Sequence, residues 1–475
     1  MCSSVNPKPD GVGMDERLVQ TDRELLGDVL TSQEAWNNLV ALCDRFGSRF
    51  GGTEAEKGAR DYLLDKMVTY GLDNPHPEEF SYTGWARGSA SLEILSPVTQ
   101  ELPCISLIYT GSCDVEGELV YVGHGTPADF ESMRDQIPGR IVMVSAWSPS
   151  YFWRRLHRGE KLARATALGA KGFLWMRWEG GLLPETGAAN FNGAAEIPCI
   201  GLAREHGEFL NRLARSGPVR VRLRTVNQIR PGSLSWNVVG DLAGTTWPEE
   251  VIIVGAHFDG HDISQGAIDD GSGAVIVLEI ARVLARYRHH LGRSLRFVCF
   301  SLEEFGLIGS YAYAKAHRDE AERFKFMLNL DSAGYGTDGA GIQLTGDRTE
   351  LVQPFRAAAR SIGQDLVIDN GLVTTSDHFP FFLEGVPCGS YMRMGPAPGA
   401  GGTGLRGWGH TAADTLDKVS PATLRSVSAL LARFVLRLSN LPEWPARRQT
   451  QDEIIRILDD YRLSEVLKME NRYPF

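Results

Sequence analysis

The chain has 475 residues, of which 43% are hydrophobic and 23% are charged, and its formal net charge is -10 at pH 7. This composition is typical of a soluble globular protein with two or three domains. The negative charge and the absence of a long basic run argue against nucleic acid or an anionic membrane as a partner, and no stretch approaches the roughly 18 apolar residues of a membrane span.

The cysteines and the N-terminal residues bear on the cellular compartment. The seven cysteines are scattered and form no CxxC pair, so the sequence predicts neither a thiolate zinc site nor a disulfide framework. The first twenty residues have neither the basic start nor the apolar core of a secretory signal. Together these features predict reduced thiols in the cytoplasm.

In chain order, residues 1–16 are polar and are predicted to be disordered. Apolar residues at helical spacing follow up to about residue 70, and Ser89–Leu95 is predicted to be a strand. Residues 101–230 are predicted to form a separate β-rich module with one helix at about 159–168 and strands at 118–122, 140–147, 172–176 and 219–223. No cluster of acids, bases or nucleophiles occurs there, so an inserted module is a better interpretation than a second active site.

Four apolar runs then predict the strands of a central sheet: 236–242, 251–256, 294–301 and 324–330. The continuous apolar run 251–256 is typical of a parallel strand buried on both faces. A helix is predicted to begin at Ser420-Pro421, and the amphipathic segment 441–475 is predicted to pack on the body of the protein. The sequence therefore predicts an α/β fold, with a mostly parallel sheet flanked by helices, formed by residues 17–100 and 231–440.

The first candidate metal-binding residues follow the run 251–256. His257 and Asp259 come directly after it, and Asp269-Asp270 precede a predicted helix. An imidazole held by a carboxylate is common at metal sites. The alternative is that Asp259 belongs to a turn, that His257 is a surface histidine, and that the aspartate pair caps the helix.

Further candidates follow other strands or lie near the C-terminus. Glu303-Glu304 follow the run 294–301, Asp331 follows the run 324–330, and His410 lies farther along the chain. Because parallel strands end at one edge of a sheet, these side chains are expected to meet there. Two imidazoles and three carboxylates are N/O ligands suited to zinc or another divalent ion, and a carboxylate between two ions can bridge them.

With these residues in place, the chain resembles the zinc exopeptidase family that includes aminopeptidase Y and glutamate carboxypeptidase, and in particular its carboxypeptidase Q branch. The resemblance covers about residues 45–95 and 233–440. The segments that carry it are GSRFGGTEAEKGARDYL, WARGSASLEIL, VIIVGAHFDGHDISQGAIDDGSG, SLEEFGLIGS, NLDSAG and HTAADT.

The resemblance implies a role for each matching residue. His257 and Asp331 would hold one metal ion, Glu304 and His410 a second, and Asp269 would bridge the two. Asp259 would orient His257, and Glu303 would be the general base. The resemblance also implies a cis peptide between Asp269 and Asp270, a protease-associated-like module in residues 101–230, and a homodimer.

One departure leaves a role open. Gly409 precedes His410, where relatives often have a Tyr or His that assists the substrate carbonyl. His378, or a residue of the glycine-rich loop Gly395–Gly409, could replace it as a substrate-binding group. The alternative for His378 is a structural histidine beneath the sheet edge.

The function predicted from this pattern is a two-zinc exopeptidase that hydrolyses short peptides with a free terminus, as an aminopeptidase or a dipeptidase. Two alternatives remain: a glutaminyl-cyclase-like acyltransferase with one zinc ion, and a receptor-like relative without catalysis. The complete set of ligands favours the two-zinc enzyme, because the alternatives use or retain fewer of them.

Overall fold

The computed structural model of the protein describes residues 16–191, 193–393 and 407–475. Segment 1–15, for which disorder is predicted, lies outside the described residues, as does 394–406, which is most of the loop Gly395–Gly409. The helices are α1 Glu16–Thr31, α2 Glu34–Val40, α3 Glu54–Thr69, α4 Pro127–Ser132, α5 Arg158–Ala167, α6 Arg204–Ser216, α7 Ser272–Arg286, α8 Ile308–Ala316, α9 Thr349–Ser361, α10 His378–Leu383, α11 Pro421–Ser439, α12 Gln451–Asp460 and α13 Ser464–Met469. The strands are β1 Asp73–Ser96, β2 Gln100–Leu102, β3 Cys104–Ser106, β4 Cys113–Tyr121, β5 Ile141–Ser145, β6 Gly172–Met176, β7 Cys199–Leu202, β8 Arg220–Leu242, β9 Trp247–His257, β10 Arg293–Phe300, β11 Phe324–Asn329, β12 Ala340–Thr345, β13 Val367–Gly371 and β14 Cys388–Arg393.

The described strands form a continuous sheet. Its main path has the order β13-β12-β14-β11-β9-β10-β8-β4-β5-β6-β7-β3, and β1 pairs with β8 and β2 beside this path. Its centre is parallel, because β10, β9, β11 and β14 all run in the same direction. Strands β8 and β12 flank this group and are antiparallel to it. The prediction of an α/β fold with a mostly parallel central sheet is therefore confirmed.

Helices cover both faces of this central sheet. Strand β9 shows why: Ile252 and Val254 pack into one hydrophobic core, whereas Val251 and Ile253 pack into another. The first core contains residues of α1, α2, α3, α7, α9 and α11, and the second contains residues of α8, α10, α12 and α13. A strand that is buried on both sides must be apolar throughout, which explains the unalternating sequence of 251–256.

Strands β1 and β8 form a long antiparallel pair that extends from Asp73 opposite Asp241 to Ser96 opposite Arg220. The sequence predicts only pieces of them, at 89–95, 219–223 and 236–242. Between β4 and β8 in the chain lie β5, β6 and β7, which run parallel to one another and to β4, together with α4, α5 and α6. Helix α5 matches the predicted helix, whereas α4 and α6 are not among the predicted elements. The protease-associated character of this region stays a prediction.

The C-terminal segment packs as predicted. Ile454 and Leu458 of α12 are buried in the same core as Phe381 of α10, and Tyr461 packs at its edge. This segment covers the face of the sheet opposite α7 and α11. Within the described ranges, none of the helices has both the length and the apolar character needed to span a membrane.

Candidate metal centre

The parallel strands bring the predicted ligands to one edge of the sheet. His257 is the last residue of β9, Glu303 and Glu304 follow β10, and Asp331 follows β11. Asp269 lies in the short segment Ala267–Gly271 that leads into α7, and its backbone there is not helical, with φ -116° and ψ 92°. Their convergence follows from the shared direction of the three strands, because all three carboxyl ends lie at the same edge.

Asp269 lies between two groups of potential ligands. Its Oδ1 is 3.3 Å from Nε2 of His257, and its Oδ2 is 3.3 Å from Nε2 of His410. The peptide between Asp269 and Asp270 is cis, as predicted. The carboxylate of Asp414 accepts hydrogen bonds from the backbone N–H groups of Ile268 and Asp269, at 2.8 and 3.1 Å. These contacts orient Asp269 so that one oxygen faces each group.

The first group consists of His257, Asp269 and Asp331, whose ligand atoms lie within 4.8 Å of one another. Nε2 of His257 is 4.0 Å from Oδ1 of Asp331. The other oxygen of Asp331 accepts a hydrogen bond of 2.7 Å from Ser376. Oδ1 faces the histidine and also accepts a hydrogen bond of 3.1 Å from the hydroxyl of Ser332. Asp270 is turned away, and its Oδ1 accepts hydrogen bonds from the N–H groups of Gly273 and Ser332.

Asp259 holds His257 and the next strand end together. Its Oδ1 is 3.3 Å from Nδ1 of His257 and also accepts a hydrogen bond from the N–H of Glu303, while its Oδ2 accepts one from the N–H of Glu304. Nδ1 faces only acceptors, namely this carboxylate and the carbonyl of Asp259, so it carries the proton. Nε2 would therefore present its lone pair to a metal ion held by the first group.

The second group consists of His261, Glu304 and His410. Oε2 of Glu304 is 2.9 Å from Nε2 of His261 and 3.2 Å from Nε2 of His410. Nδ1 of His410 faces the carbonyl of Thr186 at 3.0 Å. A carbonyl can only accept, so Nδ1 of His410 is the protonated nitrogen and its Nε2 lone pair is directed at Glu304.

The chain bends sharply at three of these positions. Leu302, Ser332 and His410 have φ angles of 61°, 58° and 62°, in the left-handed region that residues other than glycine rarely occupy. Such a conformation costs on the order of 1–3 kcal/mol and persists where surrounding contacts impose it. The bends lie just before Glu303, just after Asp331 and at a ligand position itself, so they direct these side chains into the site.

The charges of this cluster favour a bound cation. Burial, together with the neighbouring carboxylates of Glu304 and Asp331, raises the pKa of Glu303 well above its ordinary value, although His257 opposes the shift. Burial is also the main reason why the pKa of Asp270 is raised, with Asp331 and Asp269 adding to it. Carboxylates packed this closely repel one another, and a divalent ion would relieve that repulsion.

The distances also fit a metal ion. Donors about 2.0–2.1 Å from a tetrahedral zinc ion lie about 3.3 Å from one another. The contacts of Asp269 with His257 and His410, at 3.3 Å, and of Glu304 with His410, at 3.2 Å, match that spacing. In addition, Nε2 of His257 and Nε2 of His261 are buried and make no hydrogen bond with any described residue.

A cleft of about 600 Å³ opens over the site, a size suited to a small organic ligand. Trp153, Arg154, Arg155, His157 and Arg158, from the region between β4 and β8, form part of its wall. His257 and Asp259 are fully buried. Six of the eight predicted site residues line the cleft, namely Asp269, Glu303, Glu304, Asp331, His378 and His410.

His378 is the first residue of α10 and is 2% exposed. Burial lowers its pKa to about 4, so its imidazole is neutral near pH 7. Its position on the cleft wall suits a substrate contact, and its burial suits a structural role. Both interpretations stay open, and substrate binding by His378 stays a prediction.

Sequence reasoning missed two residues of this site, His261 and Arg49. Burial lowers the pKa of His261 to about 3, so its ring is neutral. The signal that could have identified it is its position four residues after His257. Arg49 is fully buried beneath the site, and its guanidinium donates to carbonyls of the segments that carry His257 and Asp269.

Comparison with known proteins agrees with this geometry. Residues 237–435 match peptidase family M28. Carboxypeptidase Q of Xenopus laevis is 27% identical over 376 residues, which are 77% of this chain and 76% of that protein. Aminopeptidase YwaD of Bacillus subtilis is 27% identical over 448 residues, which are 91% of this chain and 89% of that protein.

A solved aminopeptidase from Aneurinibacillus sp. strain AM-1 has the same fold, with a TM-score of 0.66, 26% identity, and coverage of 90% of this chain and 98% of that one. The predicted resemblance to the carboxypeptidase Q and aminopeptidase family is confirmed. The chain is a hydrolase whose residues 237–435 match peptidase family M28.

Proposed function

We propose that this metallo-exopeptidase holds two divalent ions, most suitably zinc, and hydrolyses short peptides that have a free terminus. The observation that carries the proposal is the position of Asp269, whose two oxygens each lie 3.3 Å from an imidazole of a different donor group. A carboxylate in this position suits a bridge between two ions. The donors are imidazole nitrogens and carboxylate oxygens, a set that suits zinc.

Each residue has a defined task in this proposal. His257 and Asp331 would hold one ion, Glu304 and His410 would hold the other, and Asp269 would offer one oxygen to each. Asp259 fixes the tautomer and orientation of His257. When bound, the two ions lower the pKa of a water molecule and stabilise the negative charge that develops on the scissile carbonyl.

Glu303 is the proposed general base. It lines the cleft beside Glu304 but belongs to neither donor group, so its carboxylate is available for proton transfer. It accepts a proton from the attacking water and passes that proton to the leaving amine. Its raised pKa suits the second step, because a weaker acid holds the transferred proton more readily.

The metal stoichiometry tests the two-ion proposal. Purified protein equilibrated with excess zinc and then desalted should contain two ions per chain by elemental analysis. Asp331→Ala and His410→Ala should each retain about one ion, because each removes a ligand of a different group. A single ion per chain in the unaltered protein at saturation would contradict the bridge.

The terminus requirement tests the substrate class. Blocking the terminus that the enzyme recognises, by N-acetylation or C-amidation of a dipeptide, should lower kcat/KM by roughly 10- to 100-fold, the worth of one or two hydrogen bonds to a charged group. Comparing the free, N-blocked and C-blocked forms of one dipeptide identifies that terminus. Equal hydrolysis of all three forms, or efficient internal cleavage of a long unfolded protein, would exclude an exopeptidase.

A further inference from the structure

The second donor group contains one imidazole more than the predicted ligand set. His261 lies in the loop between β9 and the segment Ala267–Gly271, four residues after His257. It is 2% exposed, and its ring centroid is 4.3 Å from that of His410. A buried imidazole beside a carboxylate and a second imidazole needs a physical explanation, because burying polar nitrogen atoms without partners is costly.

Hydrogen bonding within the described part of the chain does not supply that explanation. Neither ring nitrogen of His261 makes a hydrogen bond with a described residue. Nε2 lies 2.9 Å from Oε2 of Glu304, yet the geometry of this contact is not that of a hydrogen bond. Two donor atoms at this distance without a hydrogen bond are the arrangement expected around a shared cation.

The two groups differ in the number of donor atoms that the protein supplies to each. His261, His410 and Glu304 contribute three donors, and the facing oxygen of Asp269 contributes a fourth. Four N/O donors complete a tetrahedral zinc site. The other group has three donors, from His257, Asp331 and the remaining oxygen of Asp269, which leaves one position open.

We propose that His261 is a direct ligand of the ion held by Glu304 and His410, so that the two metal sites are unequal. This inference rests on the proposed two-ion function. One site is enclosed by four protein donors, as in sites that retain their metal for structural or electrostatic reasons, and the other keeps the open position that catalytic sites require. His261 lies behind the residues that line the cleft and is not itself among them, so a ligand role fits it better than contact with substrate.

Two consequences follow for the ions. The enclosed ion should bind more tightly and exchange more slowly than the other, because four protein donors must be released together. A chelator should therefore remove the ions in two steps, with the ion of the His257 group leaving first. The alternative role for His261 is that of a positioning residue that supports Glu304 without touching the ion.

X-ray absorption spectroscopy of the zinc-loaded protein separates these two roles, because imidazole rings give a distinct scattering pattern. With two zinc ions per chain and three ligating imidazoles, the average is 1.5 imidazoles per zinc ion; with His257 and His410 alone it is 1.0. An average of 1.5 in the unaltered protein supports the assignment, and an average of 1.0 overturns it. This measurement does not depend on whether any variant folds.

A variant provides the second readout. His261→Gln should lower the average to 1.0 and weaken one of the two zinc sites by more than about 100-fold in competition with a chromogenic chelator, which exceeds the 10- to 100-fold loss typical of a supporting residue. The matched control is His317→Gln, because the half-buried ring of His317 bonds Glu78 and Glu320 outside the site. That control should change neither the spectrum nor the zinc affinity.

The same experiments distinguish this inference from the proposed function. Two ions with one imidazole each would leave the two-ion proposal standing and overturn the role of His261, as would a His261→Gln protein that binds both ions tightly. A single bound ion would contradict the two-ion proposal. In that case, two imidazoles on the single ion, one of which is lost in His261→Gln, would still support ligation by His261. One imidazole, or two that both remain in His261→Gln, would overturn it.

Discussion

Glu303→Gln should retain both metal ions and the native fold while kcat falls by roughly 10²- to 10⁴-fold, the usual contribution of general acid–base catalysis. The substitution preserves the size of the side chain and removes only its ability to accept a proton. The backbone N–H of Glu303, which donates to Asp259, is unaffected, so the strand end should keep its position. KM should change much less than kcat, because the interaction lost is one made during proton transfer.

Glu304→Gln is the matched comparison, because it makes the same chemical change one residue later. Glu304 contacts His261 and His410, so this variant should lose zinc from the second group, and its activity should partly recover with added zinc. Glu303→Gln should show no such recovery. A Glu303→Gln enzyme with full metal content and near-normal turnover would remove Glu303 from the proposed mechanism.

Most residues of the candidate metal centre could be placed together from the sequence because they lie at the ends of strands. Buried parallel strands have a recognisable apolar sequence, and the polar residues that follow them must meet at one edge of the sheet. His257, Glu304 and Asp331 satisfy this rule. Asp269 and His410 do not follow a strand directly. Both were candidates from the sequence pattern, but their roles, as the bridge and as a ligand of the second ion, were implied only by the family resemblance.

The rest of the site could not be predicted, for a different physical reason in each case. The ring of His261 is directed by the path of a loop, and that path depends on contacts far apart in the chain. Arg49 is bonded to backbone carbonyls, and carbonyls leave no signal in a sequence because every residue has one. Strands β1 and β8 were predicted only in pieces. Their sequences contain many polar residues, which do not reveal that the backbone hydrogen bonds between the two strands continue along their whole length.

Arg49→Met should lower the free energy of unfolding by roughly 3–5 kcal/mol, the loss typical of removing one partner from a buried charged network. The guanidinium is fully buried and donates hydrogen bonds to five carbonyls, those of Leu42, Gly47, Phe258, Gln265 and Gly266. Methionine fills a similar volume but leaves these acceptors without a donor, and each such loss is costly. Urea unfolding followed by circular dichroism measures the effect.

The metal sites should be affected as well, because Arg49 joins the carbonyl next to His257 to the carbonyls that precede Asp269. The backbone comes close enough for this only because glycines adjoin the guanidinium: a Cβ added at Gly266 would lie 3.0 Å from Nη2, and one added at Gly271 would lie 3.3 Å from it. With the arginine removed, the two segments can separate, so zinc affinity should fall together with stability.

Two variants make this last prediction specific to the buried network. Arg49→Lys keeps the charge and some of the donors but cannot reach all five carbonyls, so its stability should lie between those of the unaltered protein and Arg49→Met. Arg134→Met removes an exposed arginine that pairs with Glu131 and should leave the unfolding midpoint nearly unchanged, because exposed ion pairs contribute little. If Arg49→Met unfolded at the same urea concentration as Arg134→Met and bound zinc equally well, Arg49 would have no role in holding the two ligand segments together.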